Sequence, residues 1–245
     1  MQPRWDSPQD LFGFFDYLEG RFRPTELTRA LLQMDPIGAS TGRGWTESAD
    51  FEKARYPHQV LMVLLDEMNL ARVEYYFSEF LSKLETRRNV KTNDEATRRQ
   101  AEIVLDVGNR GTQRELLRFF VDKNVLFVGT MNEDESTQSL SDKVIDRSNI
   151  LRFGTPKSLS TPKGNASDAE PGRLTADTWT RWCRNYQRQL TGAEQEQLLS
   201  RIQTLSGALK SIGRPFAYRV AQAMLEYIAN YPHPDRYNQA FADQI

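Results

Sequence analysis

The chain has 245 residues, of which 39% are hydrophobic, and its 32 basic and 33 acidic side chains leave a formal net charge of -1. That allows one large domain or a large and a small one, and it gives no global drive toward nucleic acid or an anionic membrane. A single cysteine excludes an internal disulfide or thiolate metal cluster, and two separated histidines, His58 and His233, argue against a His-based zinc site or a Ser-His-Asp triad. No stretch reaches the roughly 20 apolar residues of a membrane span, and the first residues lack a signal-peptide core, so a cytoplasmic protein is expected.

In chain order, Phe12, Phe14, Phe15, Leu18 and Phe22 form an aromatic cluster expected in the core. Pro24 to Leu32 follows as a short helix with Leu27, Ala30 and Leu31 on one face. Asp35 to Pro57 is polar and reads as a loop, including the glycine-rich Gly38 to Gly44, which has no Lys-Ser/Thr pair. Val60 to Leu65 is an uninterrupted apolar run, the pattern of a parallel strand covered on both faces. Asp66 and Glu67 emerge at its carboxyl end, where open α/β sheets bind ligands. Adjacent carboxylates there fit Mg²⁺ held through Asp66, with Glu67 aligning or deprotonating a water. A core strand entering an acid-capped helix explains them equally well.

Val73 to Leu84 places Val73, Phe77, Phe80, Leu81 and Leu84 at helical spacing, so an amphipathic helix packs on the sheet. Arg72 stands at its start, where a cation opposes the helix dipole; it is either solvated or held by a neighbouring subunit's phosphate or carboxylate. Lys83 to Lys123 carries ten basic and seven acidic residues and one clear strand, Ile103 to Val107. A protruding hairpin is expected, its Arg98, Arg99, Arg110 and Arg114 either touching DNA or a partner or forming a solvated face. Val125 to Gly129 is a second apolar strand, ending in Thr130, Met131 and Asn132. Asn132 is either a water-orienting amide or an ordinary turn residue. A polar stretch, Glu133 to Ser141, then leads into a short amphipathic helix closed by Arg147.

Taken together, Leu64-Leu65-Asp66-Glu67-Met68-Asn69-Leu70-Ala71 and Val128-Gly129-Thr130-Met131-Asn132 make the chain resemble the McrB-like branch of AAA+ nucleoside triphosphatases, the motor subunits of modification-dependent restriction systems. The first segment matches Walker B, the second sensor 1, and the likeness runs from about Trp5 to the C-terminus. It implies that Asp66 holds Mg²⁺, Glu67 is the catalytic base, Asn132 orients water and Arg147 is an arginine finger acting in trans. The implied fold is a partial α/β AAA+ core, a three-layer parallel sheet, over residues 1–153, then a linker, 154–172, and a small α-helical lid, 173–245. The implied cofactors are Mg²⁺ and ATP or GTP. The implied partners are further copies in a hexameric ring, a nuclease subunit, and DNA engaged through the partner or other domains.

Thr178 to Leu190, Ala193 to Leu209 and Tyr218 to Tyr231 read as the lid helices, with Cys183 a buried small hydrophobe. Arg219 falls in the first turn of the last one, where an anion should answer it; by resemblance it is the sensor 2 residue, with Arg214 the alternative. No G-x-x-x-x-G-K-[ST] loop occurs in the chain, and the helical pattern of Tyr237 to Ile245 has no stop signal, so a central fragment of a larger motor is expected. A non-catalytic AAA+-like assembly module and a MoxR-like chaperone ATPase acting on proteins are the alternatives.

Overall fold

The computed structural model describes residues 5–36, 40–41, 56–90, 94–110, 112–132, 139–153, 174–183, 186–216, 218–231 and 238. The chain is mixed α/β and divides into two compact units, Met1–Arg147 and Ser148–Ile245, each with its own hydrophobic core. Among the described residues no helix is long and apolar enough to cross a membrane.

The first unit opens with α1 (Pro8–Phe12), started by Ser7 and Asp10: the Ser7 N–H donates to Asp10 Oδ2 at 3.0 Å. Gly13 follows at φ 111°, and a Cβ there would meet the Arg23 carbonyl oxygen at 2.2 Å, so only glycine lets the chain turn directly into a strand. β1 (Gly13–Asp16) and β2 (Arg21–Pro24) form an antiparallel hairpin. The aromatic cluster is therefore only partly core. Phe12 and Phe22 are buried, whereas Phe14 is 51% exposed on the ribbon and Leu18, in the turn, is 99% exposed. α2 (Glu26–Met34) begins at Thr25, whose Oγ1 accepts the Thr28 N–H at 3.2 Å, and buries Leu27 and Leu31 as its spacing predicts.

β4 (Leu61–Leu65) pairs in parallel with β7 (Val125–Gly129), in register from Leu61 opposite Val125 to Leu65 opposite Gly129. The crossover between them contains α3 (Val73–Thr86), α4 (Glu95–Ala101) and the antiparallel β5 (Ile103–Arg110) and β6 (Gln113–Phe119). α3 lies on one face of the parallel pair, where Phe127 meets Phe77 at 5.6 Å and Phe80 at 4.6 Å between ring centroids, both edge-to-face. At its end the Arg87 guanidinium donates to the Asp122 carbonyl at 2.7 Å, fixing the approach to β7.

Three expectations need correction here. β4 is not covered on both faces: Met62 is 63%, Leu64 52% and Val128 40% exposed. In parallel register Met62, Leu64, Leu126 and Val128 share one side of the sheet, and among the described residues that side has no covering layer. The Asp35–Pro57 stretch is not loop throughout, because β3 (Ser40–Thr41) adds to the hairpin opposite Arg118 and Leu117. A two-residue strand borrows its order from the sheet and leaves no periodicity to detect. The third correction is in the second unit, where Thr178 to Leu190 is not one helix: α6 (Ala176–Trp182) stops at Cys183, which has φ -85° and ψ 34°, and α7 (Tyr186–Gln189) starts afresh. Cys183 is consequently exposed instead of buried.

The rest of that unit follows its sequence pattern. α5 (Asp142–Ile145) ends the first unit, and α8 (Gly192–Ser211) opens with a Thr191/Glu194 capping box in which Glu194 Oε2 accepts the Thr191 N–H at 2.7 Å. α9 (Tyr218–Asn230) turns Met224, Leu225 and Ile228 onto Leu198 and Ile202 of α8. Residues 154–172, expected as a linker, and 239–245, expected as a continuing helix, lie outside the described residues.

Candidate active site at the strand ends

Parallel pairing delivers the ends of β4 and β7 to the same edge, and the backbone continues the ladder past both strands. The Thr130 N–H donates to the Leu65 carbonyl at 3.0 Å and the Met68 N–H to the Thr130 carbonyl at 3.0 Å. Between these bonds Thr130 bridges both candidate acids. Its hydroxyl donates to Asp66 Oδ1 at 2.5 Å and accepts the Glu67 N–H at 2.9 Å. Asp66 is exposed and Glu67 half-buried, so one carboxylate is oriented by a hydroxyl while the other, without a side-chain hydrogen bond among the described residues, is held through its backbone.

Glu67 adopts φ 51° and ψ 44°, the sole left-handed non-glycine among the described residues. That conformation costs a residue with a Cβ about 1–2 kcal/mol and persists only where its surroundings over-determine it. The surroundings do so here. Leu70 N–H closes on the Glu67 carbonyl at 3.1 Å to form the 3₁₀ turn Met68–Leu70, and Tyr76 from α3 donates its hydroxyl to the Met68 carbonyl at 3.0 Å. Burial pushes the Tyr76 phenol up to about 12, with the Glu74 carboxylate adding to the shift. Met68 lies against Gly129, where a Cβ would be 1.9 Å from its Sδ. Asn69 is 4% exposed and donates its Nδ2–H to the Asn132 carbonyl at 2.8 Å, while its Oδ1 is buried without a hydrogen-bond partner among the described residues.

Asp66, Glu67, Thr130 and Asn132 are thus brought together, and Asn132 presents an exposed side chain on a backbone anchored by Asn69. Arg147, just past α5, lies apart from that group: its Nε is 3.1 Å from Glu85 Oε2 on α3, with the two side chains 24% and 29% exposed. Its acidic partner therefore comes from another helix. Arg72 is the residue preceding α3, and its guanidinium donates to the Tyr75 hydroxyl at 3.1 Å and lies 5.7 Å from that ring's centroid. Burial favours the neutral form of Glu74, but hydrogen bonds from Ser141, whose N–H is 3.0 Å away, and the charge of Arg72 outweigh it and hold the carboxyl below its usual range.

The remaining candidates belong to other elements. Arg214 and Arg219 belong to the second unit, Arg219 in the first turn of α9 and Arg214 with its N–H on the Leu209 carbonyl at 2.9 Å. On the hairpin insert, three of the four expected cations are answered by acids of the same chain: Arg98 by Glu102 at 3.2 Å, Arg99 by Glu95 at 2.6 Å and Arg114 by Asp106 at 2.6 Å. The side chain of Arg110 lies outside the described residues.

Sequence reasoning assigned no role to Thr130, Met68, Asn69 or Tyr76. The hydroxyl in Gly-Thr-Met-Asn was a usable signal for Thr130; the other three act through contacts that only the packing of α3 and β7 creates. Comparison with known protein families, with curated proteins and with solved structures finds no match to this chain.

Proposed function

We propose that the first unit carries half of a Mg²⁺-dependent nucleoside triphosphate hydrolysis site of AAA+ type, in a ring-forming motor of the McrB-like branch that works on DNA with a nuclease partner. What carries the proposal is the parallel register that sets Asp66-Glu67 beside Thr130-Asn132, with the Thr130 hydroxyl joining Asp66 Oδ1 to the Glu67 amide. The donors are all hard oxygens. One or two carboxylates completed by phosphate oxygens and water is how Mg²⁺ is usually held at nucleotide sites, and among the described residues no group of three acids, histidines or cysteines would cage an ion alone. Asp66 would hold the ion, whose chemistry is to neutralise charge on the terminal phosphates of ATP or GTP. Glu67 would accept the proton of the attacking water, oriented by the Asn132 amide. Arg147 would serve a neighbouring subunit's site only after releasing Glu85, and Arg219, or Arg214, would answer the phosphates from the lid. A phosphate loop, and a layer over Met62, Leu64 and Val128, would have to be added to the described residues to complete the site.

Two observations favour neighbouring readings. The lack of a G-x-x-x-x-G-K-[ST] loop and the Glu85 partner of Arg147 suit a non-catalytic assembly module. The acids that neutralise Arg98, Arg99 and Arg114 suit a MoxR-like ATPase that handles proteins more than one whose hairpin grips DNA.

The test is complementation in the protein extended to include the phosphate-binding loop. Arg147→Ala and Glu67→Gln subunits, each inactive alone, should regain Mg²⁺-dependent hydrolysis when mixed, because some interfaces then pair an intact Arg147 with an intact Glu67. The finger alone should be worth about 10³–10⁵ in rate. A mixture that stays inactive while mixed rings form rejects the shared site.

A further inference from the structure

A cavity beside α4, remote in role from the strand ends, has a volume of about 270 Å³ and is lined by Glu95, Arg98, Arg99, Glu102 and Arg118. Three guanidinium groups share this space with two carboxylates, leaving one positive charge in surplus. The two acids are already engaged. Glu102 pairs with Arg98 at 3.2 Å, the side chains only 3% and 11% exposed, and Glu95 pairs with Arg99 at 2.6 Å on the exposed face of α4. Arg118 lies opposite Val104 in the β5–β6 ladder, and its guanidinium has no acidic partner or hydrogen bond among the described residues.

That arrangement has few ways to relax. A guanidinium does not lose its proton in a protein, so like-charge repulsion in a partly desolvated space persists until an anion answers it. Turning Glu102 toward Arg118 would strand Arg98 as a buried, unpaired charge, which costs more than the gain. Every lining residue carries a charge, and the apolar part of the lining consists of their aliphatic stems, so the charged ends are the groups that distinguish one ligand from another. Its volume lies below the roughly 300–1,000 Å³ usual for drug-sized ligands, the right scale for a tetrahedral oxyanion with a few waters.

We propose that this cavity is a binding site for a phosphate dianion, free or as a small monoester, gripped by Arg118 and seconded by Arg99. The fork of Arg118 gives two parallel N–H donors to phosphate oxygens, and Arg99 turns inward from its exposed pair with Glu95, a bond that water already weakens. The ligand requires neither Asp66 nor Glu67, so the site stands or falls independently of the proposed hydrolysis site.

Inorganic phosphate titrated into the 245-residue chain at constant ionic strength, with chloride as the reference, and followed by ¹H–¹⁵N NMR including the arginine Nε–H signals, tests this. Saturable shifts centred on Arg118 and Arg99 are expected. Arg118→Gln should weaken binding about tenfold or more, the loss of a charge-assisted pair, whereas Glu95→Gln, which frees Arg99, should tighten it several-fold. A purely structural arginine cluster has no reason to give that opposite response. Absence of saturable shifts up to about 10 mM phosphate, or an unchanged affinity in a natively folded Arg118→Gln, overturns the proposal. Should Arg118→Gln fail to fold, Arg99→Gln on the exposed helix face is expected to weaken binding several-fold, and unchanged binding there overturns it equally.

Discussion

Gly129→Ala probes the packing on which the strand-end geometry depends. The new Cβ would lie 1.9 Å from Met68 Sδ, while an ordinary contact begins near 3.4 Å, so the thioether must retreat by about 1.5 Å. Met68 is 9% exposed, and its carbonyl is held by Tyr76 and its N–H by Thr130, so the backbone cannot simply follow the side chain outward. Overpacking of this kind costs about 1–3 kcal/mol, which for a unit of this size lowers the melting temperature by about 2–10 °C. Met68→Ala alone should cost about 2 kcal/mol, at the low end for a buried methionine because the site borders solvent. The decisive quantity is the coupling. Once Met68 is truncated the added methyl has room, so the double variant should be more stable than the sum of the single effects by about 1–2 kcal/mol. Urea unfolding of all four proteins, followed by a first-unit signal such as Trp5 fluorescence, measures it. Additivity within about 0.3 kcal/mol would mean that Met68 and Gly129 are not in contact, and the described clamp would be wrong.

Two further outcomes follow from the same turn. Glu67→Gly should be more stable than Glu67→Ala by about 1 kcal/mol in urea unfolding, since glycine takes φ 51° without a Cβ clash while alanine inherits the strain; the reverse order would contradict the left-handed assignment. The Tyr76 phenol, raised to about 12 by burial, stays protonated in the folded protein after it ionises in the unfolded chain, so its contribution is complete below pH about 10 and is lost as pH rises toward 12. Tyr76→Phe should flatten that part of the stability profile, at the cost of about 1 kcal/mol at neutral pH for the lost bond to the Met68 carbonyl, and an identical profile in the variant would remove Tyr76 as its source.

Much of the first unit was legible because its elements announce themselves locally. The six-residue apolar run before Asp66 and the shorter run before Thr130 specify strands whose polar ends must share an edge once they pair in parallel, as they do. The period of Val73, Phe77, Phe80 and Leu84 likewise marks α3. Other features depend on partners distant in sequence. β3 is ordered by pairing with the backbone of β6, and β1–β2 turns on the positive φ of Gly13 more than on its own hydrophobic pattern. The apolar run also overstated its own burial, because hydropathy registers what a face would accept and not whether a layer is present. In the candidate site, the identities of Asp66, Glu67 and Asn132 were visible, but the left-handed backbone of Glu67, the Thr130 bridge and the Glu85 anchor of Arg147 are three-dimensional facts.

The central claim, that Asp66, Glu67, Thr130 and Asn132 act as one metal-bearing edge, is tested most directly by paramagnetic broadening with Mn²⁺ in place of Mg²⁺. Substoichiometric Mn²⁺ added to the ¹⁵N-labelled chain should broaden the amides of these four residues first, and Asp66→Asn should abolish that selectivity while leaving the spectrum otherwise native. Broadening spread evenly over the acidic surface, or selective broadening that survives Asp66→Asn, would contradict it.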